Sequence, residues 1–205
     1  MKLKIWKPGP LPHAHPDRAR NWFLALASVL APPYVRLALN VRSVSIKGAE
    51  ALALLYREAG EGRSRFLVAF RHPGDADPHL VFWALHSLLG RQLRRSKADM
   101  DPASTGGRFG GRFLSGSEIL LWGGPLVRWA LRNAGTVPVT HGRQDRATLD
   151  AVVNAIVESP LPVVLAPEGQ VTYHTGTVQA LDAGAPRLAL WASDRLAASG
   201  NPLPV

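Results

Sequence analysis

Residues 65–78, RFLVAFRHPGDADP, set a short apolar run against a turn-rich polar segment, and this contrast decides the fold class. The run RFLVAF has the length and composition of a strand, so we expect a β-strand over 65–70 that is buried on both faces. Asp77 followed by Pro78 predicts a helix start, with the acid as N-cap and proline at the first helical position, and the helix continues to Gly90. Strand, polar loop and helix in this order are typical of an α/β sheet.

The same order returns further along the chain. A short strand at 136–139 is followed by a helix at 145–158, and LPVVLA at 161–166 is an apolar strand that runs into a polar loop. We therefore predict an α/β fold whose central sheet is mixed but largely parallel and flanked by helices, with a site at the strand ends. The other predicted elements are a strand at 44–46, a helix at 48–58, a long loop at 91–117 and an apolar helix at 119–132.

Residues 1–43 differ from the rest of the chain, so we predict two units, 1–43 and 44–205. The first is a basic arm followed by two short apolar helices that a double proline separates. Its most apolar stretch, 22–31, is about half of the roughly 20 residues needed to cross a bilayer. The flanking arginines favour a helical hairpin that anchors the chain on an anionic membrane surface. The alternative is a hairpin packed on the protein's own core.

The charge of the chain is strongly positive and uneven. Lys and Arg number 24 against 15 Asp and Glu, which gives a net charge of +9. Residues 1–47 carry eight basic residues and one acid, and residues 91–112 carry six basic residues and two acids. Such clusters attract the phosphates of nucleic acid, anionic lipid or a cofactor, unless they are ordinary solvated surface. The chain has no cysteine, which excludes disulfides, thiolate metal sites and cysteine nucleophiles and fits a cytoplasmic protein.

His72 and Asp77 are the candidate catalytic pair. The Pro-Gly turn between them can fold back and bring the carboxylate at the helix start beside the imidazole. A carboxylate on one ring nitrogen fixes the tautomer and leaves the other nitrogen free to take a proton from a hydroxyl. This would be the base half of a triad in which the substrate supplies the nucleophile. The alternative is that Asp77 only caps its helix.

A second polar turn, Pro167-Glu168-Gly169, follows the last predicted strand. A carboxylate there can hold hydroxyl groups, and a glycine lets a ligand approach the backbone. If the turn belongs to the same site, the imidazole of His72 and the carboxylates of Asp77 and Glu168 should converge on one cleft.

Together the two loops resemble the glycerolipid acyltransferase family, of the lysophosphatidic-acid-acyltransferase type. The family's block of His, four residues and Asp is matched by residues 72–77, HPGDAD, and its Phe-Pro-Glu-Gly block by residues 166–169, APEG. Between them, residues 135–143, GTVPVTHGR, resemble the family's block of a glycine, a short apolar strand and an arginine. The resemblance covers roughly residues 44–190.

The resemblance implies an activity. A fatty acyl group would pass from an acyl-CoA or acyl-carrier-protein thioester to a hydroxyl of a lysophospholipid or related glycerolipid, with no bound cofactor and no metal. His72 and Asp77 would be the catalytic dyad, Glu168 and Gly169 would bind substrate, and Arg143 would contact the acceptor's phosphate. The basic residues at 91–112 would attract the phosphates of CoA or an acidic carrier protein. We expect a cytoplasmic enzyme associated peripherally with the membrane.

The chain departs from the family pattern at three places. Arg71 replaces an asparagine before the histidine, His141 stands where the middle block has arginine, and Gln170-Val171 replace a threonine and an arginine. Neutral side chains cannot fork onto a phosphate as a guanidinium does, so the acceptor need not be lysophosphatidic acid. A catalytically inactive, lipid-binding relative remains open. The chain also ends about where a fourth family block would begin, which suggests a domain shortened at its carboxyl end.

Two other classes of function agree less well with the sequence. Nucleic-acid binding fits the charge, but no recognition-helix, zinc or aromatic-basic strand motif accompanies it. A metal hydrolase could use His72, His79 and His86, yet the last two lie about 10 Å apart along a helix, too far to share one ion. We expect most of the six tryptophans to be core residues, and we assign none of them to a cofactor.

Overall fold

The computed structural model describes residues 19–96, 109–140 and 146–205, and in this part of the chain four short strands form one sheet. All three strand pairs are parallel, in the order β1-β4-β2-β3, so the predicted α/β fold is confirmed and no antiparallel strand is seen there. The strands are β1 (Leu67–Ala69), β2 (Arg112–Gly116), β3 (Val137–Val139) and β4 (Val163–Leu165).

Eight helices surround the sheet in the described residues. The predicted helices over 48–58, 119–132 and 145–158 are present, the second divided at Gly123, and a helix at the carboxyl end had not been predicted. A turn of π-helix, Ala84–Leu88, joins α3 to α4. The helices are α1 (Asn21–Leu37), α2 (Ala49–Gly60), α3 (Asp77–Trp83), α4 (Leu89–Ser96), α5 (Ile119–Trp122), α6 (Gly124–Ala134), α7 (Arg146–Val157) and α8 (Gly184–Ala198).

Strand β4 lies between β1 and β2 and decides where the loops meet. Val163 pairs with Leu67 on one side and with Arg112 on the other. Ala69 at the end of β1 pairs with Leu165 at the end of β4. The loops that follow these two strands therefore leave the sheet side by side, as parallel neighbours must.

The main core lies between the sheet and the pair α7–α8. Val152 and Ile156 of α7 and Ala192 of α8 are almost completely buried with Val137 and Val163 of the sheet. A second cluster joins α2 to α4 and is centred on Tyr56 and Leu89. On the face of the sheet opposite α7 and α8, Val164 and Phe113 pack with Leu85, so the strands are held from both faces.

The prediction of a loop over 91–117 was wrong at its two ends, where residues 91–96 belong to α4 and residues 112–116 form β2; residues 97–108 lie outside the described residues. Its glycines suggested a turn, but in the structure they permit close packing. A Cβ on Gly111 would overlap the side chain of Val164, and Gly110 has φ 151°, outside the usual range of other residues. The glycines thus let the chain enter the sheet beside β4.

The strand predicted at 44–46 is absent. The side-chain amide of Gln92 pairs with Ile46 instead, donating to its carbonyl at 2.6 Å and accepting from its N–H at 3.0 Å. An amide side chain therefore supplies the partners that a neighbouring strand would have supplied.

The prediction that the first strand is buried on both faces was also wrong. Leu67 and Val68 are only partly buried and Ala69 is exposed, because β1 is an edge strand of the described sheet. The inner strand β4 is buried at all of its positions.

The predicted hairpin at the amino end is one continuous helix instead. Helix α1 runs through Pro32 and Pro33: the fixed φ of proline is compatible with a helix, although each proline removes one backbone hydrogen bond. Val35 is its one fully buried residue, and α1 packs against α3 and α6 through Tyr34 and Phe23. The membrane anchor therefore stays a prediction. No helix in the described residues has the length and apolar character to cross a membrane.

The expectation that tryptophans fill the core was wrong for four of the six. These four are exposed by 42–74%, and three of them lie on α1, α5 and α6. They are Trp22, Trp122, Trp129 and Trp191.

Candidate active site

The end of β1 places His72 at the edge of the sheet. The N–H of Phe70 still bonds to the carbonyl of Leu165 at 3.0 Å, which keeps the chain beside β4 for one residue beyond the strand. The centroid of the His72 ring lies 5.8 Å from that of Phe70. The backbone carbonyl of His72 accepts a hydrogen bond from the N–H of Thr172 at 2.9 Å. The backbone of His72 is thus held from both sides, and its half-buried ring lies at the mouth of the loops.

Asp77 lies beside that ring. Its Oδ2 is 3.7 Å from Nδ1 of His72, within ion-pair distance but too long for a hydrogen bond, and Nδ1 has no other partner in the described residues. The same oxygen accepts from the N–H of Gly74 at 2.7 Å, so the Pro-Gly turn orients the carboxylate. The predicted N-cap role was wrong: Ala76 is the N-cap, and Asp77 is the first residue of α3.

Glu168 reaches the same histidine from the loop after β4. Its side chain has no exposed surface, and Oε2 accepts from the backbone N–H of His72 at 2.6 Å. Oε1 lies 3.6 Å from Nε of Arg71 and has no hydrogen-bond partner in the described residues. Since a buried carboxylate is costly unless it is bonded or paired, these contacts account for its position. In this arrangement Glu168 holds the backbone that carries the imidazole.

Gly169 completes the turn after Glu168. It has φ 71°, a conformation that favours glycine, and its N–H donates to the carbonyl of Ala166 at 3.0 Å. A Cβ there would meet nothing within 4 Å, so the space beside this glycine is open.

Arg71 connects the two loops in a way that the sequence had not indicated. Its guanidinium donates to three backbone carbonyls of the loop after β4, at distances of 2.6–3.2 Å, while Nε faces Glu168. The carbonyls belong to His174, Thr175 and Thr177. A planar fork of donors suits several acceptors at once. The only signal in the sequence was that arginine replaces the family's asparagine at this position.

The structure therefore brings His72, Asp77, Glu168 and Gly169 to one edge of the sheet, formed by residues 70–77 and 166–177, which we call the His72 edge. Arg143 and His141 lie outside the described residues, as does most of the basic segment over 91–112. Of that segment, Arg94 and Arg95 are described and exposed.

The histidines do not form a metal site in the described part of the chain, where no group of three potential ligands is found. His79 packs against the ring of Tyr34 of α1, with 5.5 Å between centroids. His86 lies against Phe82, with 4.3 Å between ring centroids, and burial lowers the pKa of its imidazole to about 4. A weak hydrogen bond from the N–H of Gly111, at 3.4 Å, adds to its packing role.

Comparison with known proteins agrees with this geometry. The acyltransferase family model matches residues 44–197, which include all four strands and both loops of the His72 edge. No curated protein and no solved structure gave a significant match to the chain. The match covers well over half of the 205 residues. The chain therefore belongs to the acyltransferase family, the glycerolipid acyltransferases that its two loops resemble.

Proposed function

We propose that the protein transfers a fatty acyl group from an acyl-CoA or acyl-carrier-protein thioester to a hydroxyl of a lysophospholipid or related glycerolipid. The observation that supports this most directly is one histidine at the ends of adjacent parallel strands, with its imidazole beside the carboxylate of Asp77 and its backbone bonded to that of Glu168. Asp77 is 3.7 Å from one nitrogen of the ring, and Glu168 holds the backbone of the same residue. The other nitrogen is left for the substrate.

The reaction needs one base and no covalent enzyme intermediate. The free nitrogen of His72 removes the proton of the acceptor hydroxyl while the oxygen attacks the thioester carbonyl. The tetrahedral intermediate then collapses, the carbon–sulfur bond breaks, and the departing thiolate takes the proton from the imidazolium. The products are an ester and a free thiol. Asp77 stabilises the transient positive charge on the ring, as carboxylates do in triads.

The remaining residues would serve binding. The open space beside Gly169 suits the approach of an acceptor to the backbone, and Arg143 is proposed as a contact for its phosphate. The exposed Arg94 and Arg95 would attract the phosphates of CoA or the acidic surface of a carrier protein. We also propose that the enzyme works in the cytoplasm at the surface of a membrane, where the glycerolipid acceptor resides.

An acyl-CoA turnover assay against a panel of lysolipids tests this function. We expect release of CoA with at least one acceptor, and a fall in kcat of about a hundredfold or more in His72→Ala, the usual range for loss of a general base. His174→Ala is the matched control, because its side chain is exposed and only its backbone bonds to Arg71. A wild-type protein that binds lipid but transfers nothing to any acceptor would instead be an inactive relative.

A further inference from the structure

Residues 172–177, which we call the strap, follow the turn of Glu168 and lie against the loop that carries His72. The side chains of residues 173–177 are all exposed, so little apolar burial holds this segment in place. Segments with few buried apolar contacts open easily unless polar contacts hold them. The conformation of the strap therefore depends on its hydrogen bonds to the His72 loop.

Arg71 makes several of those hydrogen bonds from one side chain. One terminal nitrogen of its guanidinium donates to two backbone carbonyls of the strap, at 2.6 and 3.0 Å, and the other donates to a third at 3.2 Å. Two further bonds join the strap to the same loop. The N–H of Thr172 donates to the carbonyl of His72 at 2.9 Å, and the hydroxyl of Tyr173 donates to Asp75 at 3.3 Å.

The backbone of Tyr173 indicates that these contacts fix the strap. Its φ is 54°, in the left-handed region that residues with a Cβ adopt infrequently. Such a conformation persists only where the surrounding structure holds it. The bond from Thr172 to the carbonyl of His72 lies on one side of Tyr173. The bond from Arg71 to the carbonyl of His174 lies on the other side.

The same guanidinium faces the buried carboxylate of Glu168. Nε of Arg71 is itself buried and lies 3.6 Å from Oε1. Among the described residues no other cationic side chain forms an ion pair with this acid. A carboxylate without exposed surface is costly unless a positive charge lies near it. Since Oε2 of Glu168 accepts from the N–H of His72, Arg71 contacts both the acid and the strap that hold the backbone of His72.

We propose that Arg71 is a positioning residue, which keeps the imidazole of His72 beside Asp77 by fixing the strap and by compensating the charge of Glu168. The inference rests on the proposed function for the reaction that is affected, and in it Arg71 touches neither the acceptor nor the donor. A lysine carries the same charge but cannot fork onto several carbonyls, so substitution separates the two contributions of Arg71.

Amide hydrogen exchange of the full chain, followed by NMR, tests the structural part of this proposal without a substrate. Arg71→Gln should lower the protection factors of the N–H groups of His72 and Thr172 at least about tenfold, because both bonds depend on residues that Arg71 holds. The N–H of Phe70, which bonds to β4, should stay protected and shows that the variant is folded. Arg195→Gln is the matched control, since it removes an arginine that joins α7 to α8 by two bonds of 2.6 Å.

Steady-state kinetics on an acceptor found in the lysolipid panel tests the catalytic part. Arg71→Gln should lower kcat about tenfold to a hundredfold and leave the acceptor KM nearly unchanged, because a misplaced base slows the chemical step without removing a substrate contact. Arg71→Lys should recover part of the lost kcat, since it keeps a charge beside Glu168. Arg71→Gln combined with Glu168→Gln should be about as slow as Arg71→Gln alone, because residues that act through one network are not additive. Arg195→Gln should keep the kcat of the wild type.

Unchanged protection of His72 and Thr172 in Arg71→Gln would overturn the proposal. A large rise in the acceptor KM at unchanged kcat would identify Arg71 as a substrate contact, and effects that multiply in the double variant would contradict action through Glu168. If Arg71→Gln also lost protection at Phe70, Arg71→Lys would decide, since it should still lower the protection of Thr172 and the kcat.

The two proposals fail separately. A wild type that transfers no acyl group, together with lost protection in Arg71→Gln, contradicts the reaction alone. A wild type with turnover whose kcat survives Arg71→Gln contradicts the positioning role alone.

Discussion

The His72 edge and the exposed surface of α1, α5 and α6 depart in opposite ways from the usual rule that charged side chains are exposed and large apolar side chains are buried. At the His72 edge a carboxylate is withdrawn completely from water, and both Oε1 of Glu168 and Nδ1 of His72 lack a hydrogen-bond partner in the described residues. On the surface formed by α1, α5 and α6, several large apolar side chains are exposed to solvent. Neither arrangement is what stability alone would favour. The comparison suggests that buried polar groups mark the chemistry of this protein and exposed apolar groups mark a surface that the described residues leave uncovered.

The largest effect that we predict tests whether Asp77 or Asp75 is the carboxylate partner of the His72 imidazole. Asp77→Asn should lower kcat by about a hundredfold to ten-thousandfold with little change in KM, because the amide cannot stabilise the imidazolium. Steady-state kinetics on the best acceptor would measure it. Asp75→Asn is the control, since in the described residues this exposed acid has a single hydrogen bond, from the hydroxyl of Tyr173. If Asp75→Asn were the damaging change, Asp77 would not be the partner of His72.

The second prediction concerns a buried histidine, His86, that we expect to affect stability and not catalysis. His86 is buried away from the His72 edge, and its pKa of about 4 lies below the unfolded value of about 6.5. The unfolded chain therefore takes up a proton first as the pH falls. The contribution of His86 to the free energy of unfolding is therefore fully present above pH 6.5, and about 3 kcal/mol of it is lost as the pH falls to 4.

His86→Gln should remove that part of the pH dependence while its amide can still accept from the N–H of Gly111. Urea unfolding at several pH values between 4 and 7 would show it as a flatter stability profile. His174→Gln, which replaces an exposed histidine, should leave the profile as it is in the wild type. An unchanged slope in His86→Gln would mean that His86 does not titrate in this way.

The smallest effect concerns the role of Glu168. If it acts by holding the backbone of His72, Glu168→Gln should lower kcat by roughly tenfold and leave the KM of the acceptor unchanged, since the amide oxygen can still accept that bond. If it binds the acceptor directly, as the family resemblance implies, KM should rise instead. Kinetics at saturating donor would separate the two roles. A large rise in KM would contradict the positioning role and support the original expectation.

The residues of the His72 edge could be found from the sequence because they follow strands with a strong local signal. RFLVAF and LPVVLA are short apolar runs, and the polar residues directly after them had to lie at strand ends. Strand β2 could not be found in the same way. Its segment is basic and rich in glycine, and its identity as a strand depends on partners in β3 and β4 that are distant in the sequence.

The amino end shows the same limit. Apolar composition predicted helix there, but not that one helix would pass through two prolines or that several of its large apolar side chains would stay exposed. Likewise, nothing local linked Arg71 to the carbonyls of residues 174–177, about a hundred positions away.

Local patterns by themselves thus determined the α/β class and the residues of the two polar loops, because strand and helix periodicity and turn chemistry act over a few positions. Only the tertiary structure decided the order of the strands, the contact of Glu168 with the backbone of His72, and the union of α1 with α5 and α6 in one face. Those features depend on which distant segments pack together, and packing is a property of the whole chain.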